Sequence, residues 1–342
     1  MGSWDSAAGR LGTLALPAPC RSAEYRATVP TSRSADGRTA SPAEHPEVGS
    51  MPRTAANSQG VEIEYDAFGS PDDPVLLLVM GLGAQLTGWR EGFCETLAAR
   101  GFRVVRFDNR DAGLSTFMDA GPQPDLKAIL HGDPSSAPYL LADMALDALS
   151  LLDALGVDRA HAVGASMGGM IVQQLAIDHP ERVLSLCSIM SRPGDRASGN
   201  STPEAGGVLM RERPADREQA IAAGVAASQV IGSPGYPDDP EELRERVAAA
   251  LDRQSRSDGF GRQFAAIVAS PDRTPGLRGV DLPTLVVHGA DDPLIDRSGG
   301  EATAKAVPGA ELLVIPGMGH SLPEALWAGV ADAIAANARR AG

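Results

Sequence analysis

The stretch from Val157 to Val172 constrains this chain more than any other: a short apolar run, then Gly164-Ala165-Ser166-Met167-Gly168-Gly169, then a helical pattern. Glycines stand two residues either side of a serine, between a strand and a helix. In this G-x-S-x-G turn the serine backbone is strained while strand and helix close on each other. Any side chain larger than Gly at Gly164 or Gly168 would collide there. The Ser166 hydroxyl is left exposed at a helix N-terminus, where free amides and the helix dipole favour developing negative charge. A glycine-rich turn that merely contains a serine is the plainer reading. It does not account for the strand before it and the helix after it.

The same alternation of strand and helix runs through the rest of the chain. Val61–Phe68 alternates apolar and polar, as a half-exposed strand near a sheet edge does. Val75–Met80 and Phe102–Phe107 are apolar enough for buried parallel strands, with a helix from about Gly88 to Arg100 between them. A Pro/Gly-rich loop follows to about Ala137, and a helix from about Tyr139 to Leu155 ends at Gly156. After the helix that begins near Ser166, Val183–Met190 is another buried strand. Strand pattern resumes only at Pro283–Gly289, followed by a helix over about Arg297–Val307, a strand at Glu311–Ile315 and a last helix over about Pro323–Arg339. This order predicts an α/β fold with a mainly parallel sheet, its core made of residues 56–190 and 280–342. Residues 191–279 carry helical patterns (about Asp216–Gln229, Pro240–Gln254 and Gly261–Ala269) and no strand-like run, so they read as a helical cap inserted in the sheet. Val208, Leu209, Met210, Ile221, Val225, Val230, Ile231, Phe260, Phe264, Ile267 and Val268 are its apolar residues, available to pack down over a pocket or simply within the insertion.

With 342 residues there is room for one large domain with an insertion and a tail. Residues 1–55 show neither helical nor strand period and read as a disordered extension. Its first 50 residues hold five arginines against five acidic residues, so the net charge of −14 belongs to the remainder. Met51 stands where an alternative start would be placed; an arginine-rich organellar presequence is the competing reading, and the acidic residues count against it. The negative charge argues against nucleic acid and anionic membrane surfaces as partners. No run approaches the roughly 18–20 apolar residues of a membrane span. Three scattered cysteines (Cys20, Cys94, Cys187) make neither a disulfide framework nor a zinc site, and a cytoplasmic location suits them.

A serine hydroxyl needs a base within hydrogen-bond reach. Six histidines are available. His45 is in the tail, His131 in a surface loop, His161 in the strand before Ser166, His179 at the far end of the following helix, and His288 closes a strand in a structural place. His320 follows a strand through a flexible Gly-Met-Gly loop at the sheet edge where Ser166 emerges, which makes it the candidate base. A carboxylate must orient that imidazole. Asp291 and Asp292 both follow a strand; Asp292 is preferred because Pro293 fixes the turn beside it, and Asp291 stays in contention. The attacked carbonyl needs preorganised donors. The backbone N–H of Met167 is one, and that of Leu82, freed to turn inward by Gly81 and Gly83, is the other. Asp108 and Arg110, in the loop after Phe107, read as a mutual ion pair beside the site.

Gly-Ala-Ser-Met-Gly-Gly at 164–169, Gly-Ala-Asp-Asp-Pro at 289–293 and Gly-Met-Gly-His at 317–320 resemble the α/β-hydrolase superfamily over about residues 58–340. Leu-Val-Met-Gly-Leu-Gly with Trp89, then Arg-Phe-Asp-Asn-Arg-Asp-Ala-Gly-Leu-Ser, is similar to the actinobacterial esterases grouped with aclacinomycin methylesterase. The resemblance implies an eight-stranded, mostly parallel sheet with a helical cap, no cofactor, and hydrolysis of a small-molecule carboxylic ester. It also implies that the acid lies three residues after the strand-end glycine Gly289, at Asp292. Many relatives carry His-Gly where this chain has Met80-Gly81, so a contact from that ring is lost while the backbone donor remains. Cofactor-free haloperoxidases, C–C bond hydrolases and lactonases use the same three residues, and a non-catalytic ligand-binding homologue would keep the same scaffold. Haloalkane dehalogenases and epoxide hydrolases normally carry aspartate at the position of Ser166.

Overall fold

The computed structural model describes residues 52–55, 57–121, 123–254 and 256–342. The expected extension, with Met51, Cys20 and His45, therefore lies outside the described residues except at its end. Residues 52–55 belong to the fold instead: Arg53 bridges Glu64 in antiparallel fashion and the Thr54 amide donates to the Ile63 carbonyl at 3.0 Å.

The strands are β1 (Tyr65–Phe68), β2 (Val75–Val79), β3 (Arg103–Phe107), β4 (Ala160–Ala165), β5 (Val183–Ile189), β6 (Thr284–Gly289) and β7 (Glu311–Ile315). Among the described residues they form one seven-stranded sheet in the order β1-β3-β2-β4-β5-β6-β7, with β1 alone antiparallel to its neighbour. That is one strand fewer than the eight expected. The missing pairing is the stretch around Arg53, and the reason is local. The amides of Glu62, Ile63 and Glu64 donate to the hydroxyls of Thr116, Thr54 and Ser115 rather than to a backbone partner, so no ladder extends there.

Side chains of a strand alternate between faces, and β2 shows what each face meets. Val75, Leu77 and Val79 pack with α3 (Leu141–Ala154), α4 (Met167–Asp178) and the end of α10 (Arg297–Ala306). Leu76 and Leu78 pack with α1 (Glu91–Ala98) and α11 (Trp327–Arg339) on the opposite face. Gly156 closes α3 with a φ of +66°, the left-handed conformation a C-terminal glycine supplies. Cys94 and Cys187 are buried, unpaired thiols. Burial pushes the Cys94 thiol up to about 12.

The helices not yet placed are α2 (Leu126–Leu130), inside the stretch expected to be loop, and α5 to α9 between β5 and β6. These last are α5 (Pro203–Leu209), α6 (Arg217–Ile231), α7 (Pro240–Arg253), α8 (Asp258–Ala269) and α9 (Thr274–Leu277). Side-chain caps start three of them: Thr202 accepts from the Ala205 amide, Asp216 from Gln219, and Asp239 from Glu241 and Glu242. Helix α8 is inverted relative to an ordinary surface helix. Its polar Arg262 and Gln263 are buried against the body of the protein, while Phe264, Ile267 and Val268 face a cavity.

Those polar side chains anchor the helical segment and overturn the expected Asp108–Arg110 pair. Arg253 of α7 reaches Asp108 at 2.8 Å, and Arg262 grips Asp111 through two nitrogens at 3.0 and 2.6 Å. Arg110 turns the other way, to Asp147 of α3, at 2.5 and 2.7 Å. Asp108 and Arg110 lie two residues apart beyond the end of β3, and each pairs with a different neighbour.

Candidate active site

Ser166 occupies the tip between β4 and α4 with a φ of +55°, which places a non-glycine residue in the left-handed region. Its amide donates to the Ile189 carbonyl at 2.9 Å, and Ser191 Oγ donates to its carbonyl at 2.8 Å. The turn is as crowded as its glycines imply. A Cβ on Gly164 would stand 2.1 Å from the Gly168 carbonyl oxygen, and one on Gly168 would stand 2.0 Å from that of Val79.

His320 arrives through the loop after β7. Its ring lies between the serine and a carboxylate: Nε2 is 3.0 Å from Ser166 Oγ and Nδ1 is 2.8 Å from Asp292 Oδ2. A carboxylate only accepts, so the ring proton belongs on Nδ1 and Nε2 is free to accept from the serine. The loop is not loose, contrary to its glycine content. The His320 amide donates to the Ile231 carbonyl at 2.7 Å, and the Gly319 amide to Ser233 Oγ at 2.9 Å, so the end of α6 holds it.

Asp292 is buried, with Oδ1 accepting the Leu294 and Ile295 amides at 2.9 Å each. Asp291 is exposed and points away, accepting the Gly317 amide at 2.7 Å. Of the two acids, Asp292 is the one brought to His320. His288 is the neighbour on the other side. Its Nε2 lies 3.7 Å from Asp292 but donates at 2.8 Å to the Ile295 carbonyl, and burial holds its ring below the ordinary value for histidine. It is structural, as its place in the sequence implied.

The two backbone donors have the surroundings their role would need. Met167 is the first residue of α4, so its amide has no preceding helical turn to bond. The Gly81-Leu82-Gly83 loop closes on the serine, since a Cβ on Gly81 would come 3.1 Å from Ser166 Cβ. The Gly83 amide donates to Gln263 Oε1 at 2.8 Å, and Gln263 Nε2 donates to the Arg110 carbonyl at 2.7 Å. Met80, where relatives of the resembled family often have histidine, lines the cavity, and its carbonyl accepts from Asn109 at 2.9 Å.

Ser166, His320 and Leu82 open into a cavity of about 1490 Å³. Of the apolar residues expected to cover a pocket, Leu209, Ile231, Phe264, Ile267 and Val268 line it, whereas Met210 faces solvent and Ile221 is wholly buried elsewhere. Arg192 and Arg273 line this cavity and Gln263 lies beside it, at positions that no sequence motif marks. Gln263 carries the one signal, polarity within an otherwise apolar helix, whereas Arg192 and Arg273 stand in polar, proline-containing turns. Among the described residues no group of three or more His, Cys, Asp or Glu side chains is placed to hold a metal ion, and no helix is long and apolar enough to cross a membrane.

Residues 74–324 match the family model described as alpha/beta hydrolase fold. Rhodomycin D methylesterase DnrP of Streptomyces peucetius is 30% identical, covering 85% of this chain and 99% of its own length. The 3-oxoadipate enol-lactonase 2 of Acinetobacter baylyi is 26% identical over 75% of this chain and 86% of that protein. Among solved structures, a hydrolase from Pseudomonas aeruginosa superposes with a TM-score of 0.62 at 28% identity, covering 86% of this chain and 99% of that one.

Proposed function

This chain belongs to the α/β-hydrolase fold family, and on that premise we propose that it cleaves a small-molecule carboxylic ester through an acyl-enzyme formed on Ser166. His320 Nε2 takes the serine proton as Oγ attacks the ester carbonyl. The imidazolium that results is stabilised by Asp292 and then delivers its proton to the leaving alcohol. Water repeats the sequence in reverse and frees the acid. The Leu82 and Met167 amides hold the developing oxyanion, each donor contributing about 3–4 kcal/mol at the transition state.

The observation that carries this reading is the unbroken hydrogen-bond chain from Ser166 Oγ through His320 to Asp292, at 3.0 and 2.8 Å. Helices α5 to α9 act as the cap over the cavity. A methyl ester is the first substrate to try, because the methylesterase DnrP matches most of the chain. The lactonase relative favours a second reading, since a lactone is an internal ester opened by the same steps. The buried, unpaired Cys94 and Cys187 suit a reducing cytoplasm.

Turnover of a p-nitrophenyl ester by the wild type and by Ser166→Ala tests the assignment, together with labelling by a fluorophosphonate. The variant should fold normally, lose at least about a thousandfold in kcat and take no label. Undiminished turnover in Ser166→Ala, or no labelling of the folded wild type, would sink it.

A further inference from the structure

The cavity wall is positive, although the chain as a whole carries −14. Six arginines line it against three aspartates. Three of the six have carboxylate partners: Arg90 reaches Glu324 at 3.4 Å, Arg246 reaches Asp238 at 2.6 Å, and Arg253 reaches Asp108 at 2.8 Å. Arg192, Arg196 and Arg273 make no ion pair among the described residues. They gather on one wall, where the turn after β5 meets the start of α9.

Arg273 is the most constrained of them, at 3% exposure. Its Nε donates to Gln173 Oε1 and its Nη2 to the Arg192 carbonyl, both at 3.1 Å and both neutral acceptors. Arg192 Nη1 reaches only the Ser198 and Gly199 carbonyls, at 3.5 and 3.2 Å. The nearby acids are turned to other work. Asp195 accepts from Ser198 Oγ and two amides, and Asp272 accepts the Thr274 amide. Burial, reinforced by Arg192 and only partly offset by Asp272, pulls Arg273 down to about 10. A guanidinium held this way has no hydrogen-bonded carboxylate among the described residues, and its planar fork matches one.

We propose that Arg192 and Arg273 form an anion subsite of the cavity that takes a carboxylate carried by the ester substrate. Only the identity of the rest of the substrate rests on the ester reading. Gln173, which holds Arg273, lies two helical turns along α4 from Ser166, roughly 10 Å of rise. Arg192, Arg273 and Ser166 line one cavity, so the carboxylate stands apart from the scissile carbonyl in the same molecule, and the substrate class is an ester that carries a second, free carboxylate, the half-ester of a dicarboxylic acid being its simplest form.

Calorimetric titration with suberate, with suberamide as the neutral control, tests the subsite without any turnover. Suberate should bind, suberamide should not, and Arg192→Gln and Arg273→Met should each weaken suberate by at least about tenfold. Arg192 sits at the cavity wall, so its variant decides the matter if Arg273→Met does not fold. A kinetic comparison of monomethyl suberate with methyl octanoate adds a second readout. The half-ester should be preferred through a lower KM, and the preference should collapse in Arg192→Gln. Suberate binding no tighter than suberamide, or binding indifferent to Arg192→Gln, overturns the proposal. If methyl octanoate is cleaved in a Ser166-dependent way while suberate fails, the subsite falls and the esterase stands. If suberate binds through the arginines but no ester is turned over, the subsite stands and the esterase reading falls.

Discussion

Gln263 of α8 holds the amide of Gly83 at 2.8 Å, across the boundary between the helical segment and the loop after β2. The carboxamide is wholly buried, and its other end is fixed by the Arg110 carbonyl. One side chain thus sets the path of the loop that carries the Leu82 amide. In Gln263→Leu both backbone groups lose their partner in the interior, at a cost of about 1–3 kcal/mol each. Thermal denaturation should report that loss. Steady-state kinetics should show kcat falling more than KM rises, because the proposed oxyanion donor at Leu82 would be displaced and such a donor matters at the transition state. A variant that loses stability but keeps kcat would limit Gln263 to packing.

The two adjacent acids should separate cleanly. Asp292→Asn leaves His320 without the acceptor that keeps its proton on Nδ1, and kcat on a p-nitrophenyl ester should drop by about 10⁴-fold. Asp291→Asn can still accept the Gly317 amide through its carbonyl oxygen, so its kcat should stay near that of the wild type. Equal losses in the two variants would contradict the geometry around His320.

Gly164→Ala should be far more damaging than its single added methyl suggests. The new Cβ would press on the backbone carbonyl of Gly168, which cannot move without breaking the start of α4. Destabilisation of more than about 4 kcal/mol is expected, seen as failure to recover folded protein or as a large drop in Tm. Gly101→Ala is the control for an added methyl alone: open space surrounds it, and its φ of +86° costs only local backbone strain.

His161 predicts an acid-sensitive stability unrelated to catalysis. Burial, with Arg159 adding to it, pulls its ring from the ordinary 6.5 down to about 4. Its Nδ1 meets Ser185 Oγ at 2.9 Å, and its ring packs edge-on against Phe102. The fold holds the neutral ring, so this contribution is complete above pH 6.5. As the pH falls towards 4 the unfolded chain takes up a proton that the fold refuses, and stability is lost by on the order of 2–3 kcal/mol. Urea denaturation at pH 7 and pH 4.5 should show a smaller loss in His161→Gln than in the wild type.

Much of this was legible in the sequence because the strands are short apolar runs bounded by glycine and proline, and the Ser166 turn has its own spacing. His320 and Asp292 could be found because each follows a strand at the same sheet edge. What escaped were contacts that depend on side-chain direction across the fold. Asp108 and Arg110 are neighbours in the chain, yet their partners come from α7 and α3. Helices α2, α5 and α9 are too short for a clear period. The role of Gln263 is hidden because an inverted helix buries its polar side, a pattern that hydrophobic periodicity assigns to solvent, and that of Arg273 because it stands in the turn before the four-residue α9, where no period can be read.

The anchoring of the loop before His320 to the last turn of α6 has a consequence for engineering. Grafting the stretch between β5 and β6 from a relative, to borrow its substrate range, would replace more than a wall. The graft would carry away the Ile231 carbonyl that holds the His320 backbone amide and the Gln263 carboxamide that steadies the glycine loop. On the proposed reading, the segment that would shape the substrate also holds the residues that would do the chemistry, and a chimera must retain those two junctions to inherit one without forfeiting the other.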